Sequence, residues 1–148
     1  MDIVQENIVA EFKNLPTWED KYEKIILLGK KLPSLSVKDK TEDNKVSGCT
    51  SRVWLLAKQE NGLLVFKSDS DSLMVKGLVG LLLEIYSNKA PQQILDTKPY
   101  FIEQIGLQNH LSPTRTNGLL AVLKQIKLYA LGYQSIQKNS LAQSQKLP

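Results

Sequence analysis

The stretch from Ser72 to Asn88 constrains the fold of this chain more than any other. Wound as a helix, it places Leu73, Met74, Val75, Leu78, Val79, Leu81, Leu82, Leu83 and Ile85 around nearly every face. A helix without a polar face has to be enclosed. Its apolar run is interrupted by Lys76 and Glu84 and falls short of the ~18–20 residues of a membrane span, so the enclosure must come from the rest of the chain. The pattern therefore predicts a central buried helix at about residues 72–88, opened by the cap-rich cluster Asp69-Ser70-Asp71-Ser72. Gly77 and Gly80 each carry a helix-propensity cost of up to ~1 kcal/mol, and they would let a neighbouring element approach the backbone closely.

The flanking segments supply the enclosure. Val4, Ile8, Phe12 and Leu15 recur at helical spacing, predicting a first helix over residues 2–14 that Pro16 ends. Thr17 is the expected N-cap of a second helix, with Asp20 in the capping-box position and Trp18, Tyr22, Ile25 and Ile26 inward; Gly29 and Pro33 mark its expected end. Residues 33–44 read as a charged surface connection. Then come the apolar runs Arg52–Lys58 and Leu63–Lys67, separated by Asn61-Gly62. Asn-Gly between two such runs predicts a hairpin, because a type I′ turn needs positive φ at both central residues. Pro91 and Pro99 each sit where a short helix could start, and Gly106 reads as a helix stop. Ser112-Pro113 opens a last long helix with Leu119, Leu120, Val122, Leu123, Ile126, Tyr129 and Ala130 inward. The Gln/Ser/Lys-rich segment from Ser135 to Pro148 is aperiodic and reads as a flexible polar tail. The fold class is thus α+β: a single domain over residues 1–134, with a small antiparallel sheet flanked by N- and C-terminal helices.

Composition narrows the chemistry. The chain has 148 residues with one cysteine, Cys49, and one histidine, His110, so it can form no internal disulfide and offers only two of the four Cys/His ligands of a structural zinc site. The net charge is +4, and the surplus is diffuse: residues 1–44 carry 7 basic and 9 acidic side chains, residues 45–90 carry 6 and 4, residues 91–148 carry 6 and 2. No cationic run with interleaved aromatics suggests nucleic-acid binding. The acidic start, Met1 to Glu6, resembles neither a signal nor a transit peptide, and a soluble, cytoplasmic protein is expected.

Cys49 is the residue with most chemical scope. A lone cysteine is commonly a small buried hydrophobe. Against that, Ser47, Gly48, Thr50 and Ser51 suit a turn better than a core, and Arg52 is close enough in sequence to favour a thiolate, the reactive form. His110 is the sole imidazole base for a hydrolase or thiol-peroxidase reading, although its place before Ser112 suits packing at a helix entry. Asp69 and Asp71 read as helix caps, and Arg115, set against the dipole of the last helix, suggests a second duty such as pairing with Asp71 or sitting by a thiolate.

The strings themselves are similar to a known family. Gly48-Cys49-Thr50-Ser51-Arg52-Val53-Trp54 resembles the G-C-x-S-x-V-W signature of SufE proteins, the sulfur acceptors of iron–sulfur cluster assembly. Ser68-Asp69-Ser70-Asp71, continuing through Val75-Lys76-Gly77-Leu78, resembles the family's S-D-x-x-x-V-K-G-L stretch, and His110 to Leu119 resembles its H-L-[ST]-P-[ST]-R-x-x-G-L. The Trp18 to Tyr22 helix start also fits, and order and spacing hold over roughly residues 3–133. Thr50 and Arg52 fall at variable positions, and Thr114 stands where serine is more usual.

The resemblance implies a SufE/NifU-like α+β fold and makes Cys49 the persulfide carrier, with Gly48, Ser51, Arg52, Asp71, Lys76, Gly77, His110 and Arg115 in support. It implies a PLP-dependent cysteine desulfurase of the SufS type as donor and a SufBCD-like scaffold as recipient. The cofactor stays on the donor, and the acceptor itself carries none and has no turnover of its own. A CsdE-like acceptor serving a second desulfurase shares the same motifs, and a homodimer is left open.

Overall fold

The enclosure expected around the apolar helix is present in the computed structural model, which describes the backbone of residues 2–146 and the side chains of residues 2–138. Helices α1 (Ile3–Lys13) and α2 (Trp18–Lys31) precede a 3-10 turn at Val37–Asp39; strands β1 (Val53–Glu60) and β2 (Leu63–Ser70) follow, then α3 (Leu73–Tyr86), α4 (Pro91–Asp96), α5 (Phe101–Ile105), α6 (Leu107–His110) and α7 (Pro113–Lys146). The central helix is α3, with Leu78, Leu82, Ile85 and Tyr86 fully buried against α1, α2, β2 and α7. No described helix is long and apolar enough to cross a membrane.

Local chemistry explains most boundaries. Thr17 and Ser72 cap α2 and α3 by accepting the amides of Asp20 and Val75, and Ser112 accepts the amide of Arg115 at the start of α7. Gly106 ends α5 in the left-handed conformation, φ 88°. Asn61 and Gly62 take φ 53° and 78°, the two positive values of the predicted I′ turn, and the antiparallel register runs from Glu60 opposite Leu63 to Val53 opposite Ser70. The outer edge of β1 is covered briefly by residues 44–46: Val46 donates to the Val53 carbonyl at 2.8 Å, and Leu55 donates to that of Asn44 at 2.8 Å.

Two expectations are corrected. Gly29 does not stop α2, which runs on to Lys31 and ends at Leu32, the residue that Pro33 drives out of helical geometry. Gly29 is instead needed for contact: a Cβ there would lie 2.2 Å from the Leu73 carbonyl oxygen, and one on Gly77 would lie 2.0 Å from that of Ile25. The two helices thus touch backbone to backbone, as the central glycines of α3 suggested. The segment expected as an aperiodic tail, residues 135–148, differs as well, since α7 passes through Gly132 and stays helical to Lys146, residues 147 and 148 lying outside the described residues. Gln, Lys, Ala and Leu are good helix formers whether or not they form an apolar stripe, so aperiodicity marks an absent core face and not an absent helix.

Candidate functional site

Cys49 sits in a loop of residues 47–52 that is closed at both ends. At one end stands the Val46–Val53 hydrogen bond. At the other, Arg52 donates its amide to Asp71 Oδ1 at 3.0 Å and accepts at its carbonyl from the Asp71 amide at 3.3 Å and the Ser70 hydroxyl at 2.8 Å. Gly48 turns the loop inward at φ 89°, a conformation that favours glycine. The Cys49 side chain is thereby half-buried, packed against the core, and its thiol donates to the Gly118 carbonyl at 3.6 Å.

Beside the thiol lies a cavity of about 30 Å³. Its floor comes from α3 (Val75, Leu78, Val79) and from Gly118 and Leu119 of α7, and Thr50, Ser51, Thr114 and Arg115 supply its polar side. That is more room than a single water-sized group needs, so the space admits a small group beside the thiol. Burial pushes the Cys49 thiol above its ordinary pKa. The expectation that Arg52 favours the thiolate is therefore corrected. The Arg52 guanidinium is engaged by Asp71, Nε to Oδ2 at 3.5 Å, and desolvation governs the thiol.

The remaining expected site residues separate into two groups. Ser51 and Arg115 line the cavity with Cys49, Gly48 turns the loop just before it, and Arg52 with Asp71 anchors the loop. Arg115 lines the cavity, but the suggested pairing with Asp71 is not formed: Asp71 belongs to Arg52. Gly77 serves the α2–α3 contact. Lys76 is buried and pairs with Asp69 at 3.3 Å. Asp69 is consequently no helix cap; it is a buried carboxylate in β2 that also pairs with Lys40 at 3.1 Å and accepts the amides of Leu35 and Ser70. Burial raises its pKa, but these amides and ammonium groups outweigh that and leave it lowered.

His110 does not line the cavity. Its ring stacks on Trp18 at 3.8 Å and 9°, its Nδ1 lies 3.0 Å from the Gly106 carbonyl, and its own carbonyl accepts the Tyr22 hydroxyl. It is a residue of the helix entry, as its position before Ser112 suggested. The described residues hold no group of three or more His, Cys, Asp or Glu that could bind a metal ion.

Sequence reasoning gave no role to the cavity floor. Val75, Leu78 and Val79 on α3 match Arg115, Gly118 and Leu119 on α7 in spacing, i, i+3, i+4, the signature of one helix face. Two such faces flanking a cysteine loop were the signal available, and the first was absorbed into the core.

The family model for SufE, described as an Fe-S metabolism associated domain, matches residues 6–130. The chain belongs to the SufE family. Its role accordingly lies in iron–sulfur metabolism. The fold is also similar to a solved solution structure of a hypothetical protein from Thermus thermophilus, with a TM-score of 0.72 and 23% identity, covering 89% of this chain and 96% of that one. At that identity the likeness is one of fold. The SufE match runs from within α1 to the middle of α7 and so includes the Cys49 loop, the parts of both helices that floor the cavity, and the Asp71 anchor.

Proposed function

We propose that Cys49 is a sulfur carrier: it takes the terminal sulfur of a persulfide from a PLP-dependent cysteine desulfurase of the SufS type and passes it to a SufBCD-like scaffold. In this reading the chain holds neither PLP nor a cluster, and it accelerates the desulfurase by removing its product sulfur. The observation that carries the proposal is the small cavity, floored by apolar side chains, against the single thiol of a SufE domain.

The chemistry balances without an added oxidant. The Cys49 thiolate attacks the outer sulfur of the donor persulfide, a new S–S bond forms at Cys49 as the donor's S–S bond breaks, and the donor cysteine leaves as a thiolate. The step needs an aligned approach and a nucleophilic thiolate; the cavity lining offers Thr50, Ser51, Thr114 and Arg115 but no imidazole or carboxylate, so the proton that burial keeps on Cys49 passes to the departing donor thiolate. Once formed, the outer sulfur fits the space between α3 and α7, away from solvent thiols and oxidants.

The test is to mix the protein with a cysteine desulfurase, PLP and L-cysteine and measure intact mass. One added sulfur localised to Cys49 is expected, with faster alanine release. Cys49→Ser should fold normally, gain no sulfur and give no stimulation. Stimulation retained in that variant overturns the proposal. Running SufS-type and CsdA-type desulfurases in parallel distinguishes the two acceptor types.

A further inference from the structure

The buried ion cluster around Asp69 lies outside the Cys49 cavity and has no part in the sulfur step above. It gathers one strand, one helix and one long connection. Asp69, in β2 and only 3% exposed, holds Lys76 of α3 on Oδ1 and Lys40 of the 33–44 connection on Oδ2. The Leu35 amide also donates to Oδ2, at 3.0 Å, and Lys76 reaches the Ser34 hydroxyl at 3.4 Å. Lys40 lies 5.3 Å from the ring centroid of Trp54, which is the cross-strand partner of Asp69. Residues 34, 35 and 40 are thus tied to the sheet through one carboxylate.

That connection leads directly to the Cys49 loop. Its continuation, residues 44–46, forms the short edge pairing with Val53 to Leu55 that closes the loop at its base, and this pairing consists of the two backbone bonds of Val46 and Leu55. So short a pairing is marginal on its own. Val46 is itself buried in the core, and the segment before it is tied to Asp69 through Leu35 and Lys40.

We propose that Asp69 is a positioning residue for Cys49: by clamping the 34–40 connection through Leu35 and Lys40, it keeps the base of the 47–52 loop paired and the thiol turned into its cavity. Loosening the clamp opens the loop locally, with the rest of the fold intact.

The experiment measures the rate of Cys49 alkylation by iodoacetamide on the full chain across a series of urea concentrations below the unfolding transition. Lys40→Met removes one arm of the clamp at a partly exposed site, and Asp69→Asn combined with Lys76→Met removes the buried charges together, so that the one ammonium left without its carboxylate is the partly exposed Lys40. Both should alkylate roughly tenfold faster than wild type without urea, with little change in rate as urea is raised toward the transition, the mark of local opening. Lys40→Arg, which keeps the cation, should restore the wild-type rate. Ile126→Val, a core substitution remote in sequence from the loop, should leave the urea-free rate unchanged. The proposal is overturned if Lys40→Met folds and alkylates at the wild-type rate. It is equally overturned if acceleration appears only at the highest urea concentrations, rising steeply toward the transition, or if Ile126→Val accelerates as much. Should the double variant fail to fold, Lys40→Met decides alone. The readout is thiol access, so its failure leaves sulfur transfer untouched, and a chain that gains no sulfur in the desulfurase assay still reports on the clamp.

Discussion

The shelter that protects Cys49 also keeps it protonated. Because burial raises its pKa, less thiolate is present at neutral pH than for an ordinary cysteine, and the resting protein should be a sluggish nucleophile. Alkylation rate against pH should therefore have a midpoint higher in the native protein than in the urea-unfolded chain; a native midpoint at or below the unfolded one contradicts the burial argument. The sign carries over to stability. With the folded pKa above the unfolded one, the contribution is complete below the unfolded value and is lost as pH rises through the folded value. Gly118 offers a second handle on the same atom. A Cβ there would lie 3.8 Å from Cys49 Sγ, an ordinary contact. Gly118→Ala should stabilise α7 by about 0.5–1 kcal/mol in urea denaturation while slowing sulfur uptake by Cys49, because the methyl group occupies space beside the thiol. Equal uptake in the variant would show that the outer sulfur does not use that space.

Among the elements, the α2–α3 pair is the least tolerant of change. Gly77→Ala drives a Cβ onto the Ile25 carbonyl, a backbone atom that cannot rotate away, and should cost about 3 kcal/mol or prevent folding. Gly132→Ala meets nothing within 4 Å on an exposed turn of α7 and should instead stabilise by up to about 1 kcal/mol. Thermal denaturation of the two variants should move in opposite directions. The same contrast shows what a sequence can and cannot convey. Thr17, Ser72, Ser112 and Asn61-Gly62 were legible because each acts within three or four residues of itself. Gly29 was misread as a stop because a missing Cβ looks the same whether it frees φ or admits a neighbour, and Leu73, which decides the matter, is distant in sequence. Asp69 was misread as a cap for a similar reason, its partners Lys40 and Lys76 being brought to it only by the fold. Cys49, Gly48 and Arg115 stood out by local chemistry and motif, and the fold places Cys49 and Arg115 on one cavity. Val75, Leu78 and Val79 did not stand out, since residues that serve both core and cavity read as core alone.

At the scale of the whole molecule, the Asp69 cluster joins the charged connection to the sheet and to α3, and it makes the fold acid-sensitive. Its lowered carboxyl pKa contributes stability that is present above the ordinary carboxylate range and is lost as pH falls through the folded value. Urea midpoints should fall on acidification below that range, and the acid limb should be shallower in Asp69→Asn/Lys76→Met; an unchanged limb would assign the acid loss to other carboxylates. Asp69→Ala alone should be worse than the double substitution, by about 3–5 kcal/mol relative to wild type, because it strands the Lys76 ammonium inside.

The two closures of the Cys49 loop also set a length. Cys49 is three residues from Val46 on one side and three from Arg52 on the other. A fully extended chain spans at most ~3.3–3.6 Å per residue, so while both anchors hold, the backbone at Cys49 can travel only ~10 Å from the loop base. That is a short tether, and it cannot ferry cargo between sites on separate surfaces. Any molecule that exchanges an atom with this thiol must bring its own reactive group to the cavity beside Cys49, and the whole domain, not the loop, has to move from one encounter to the next.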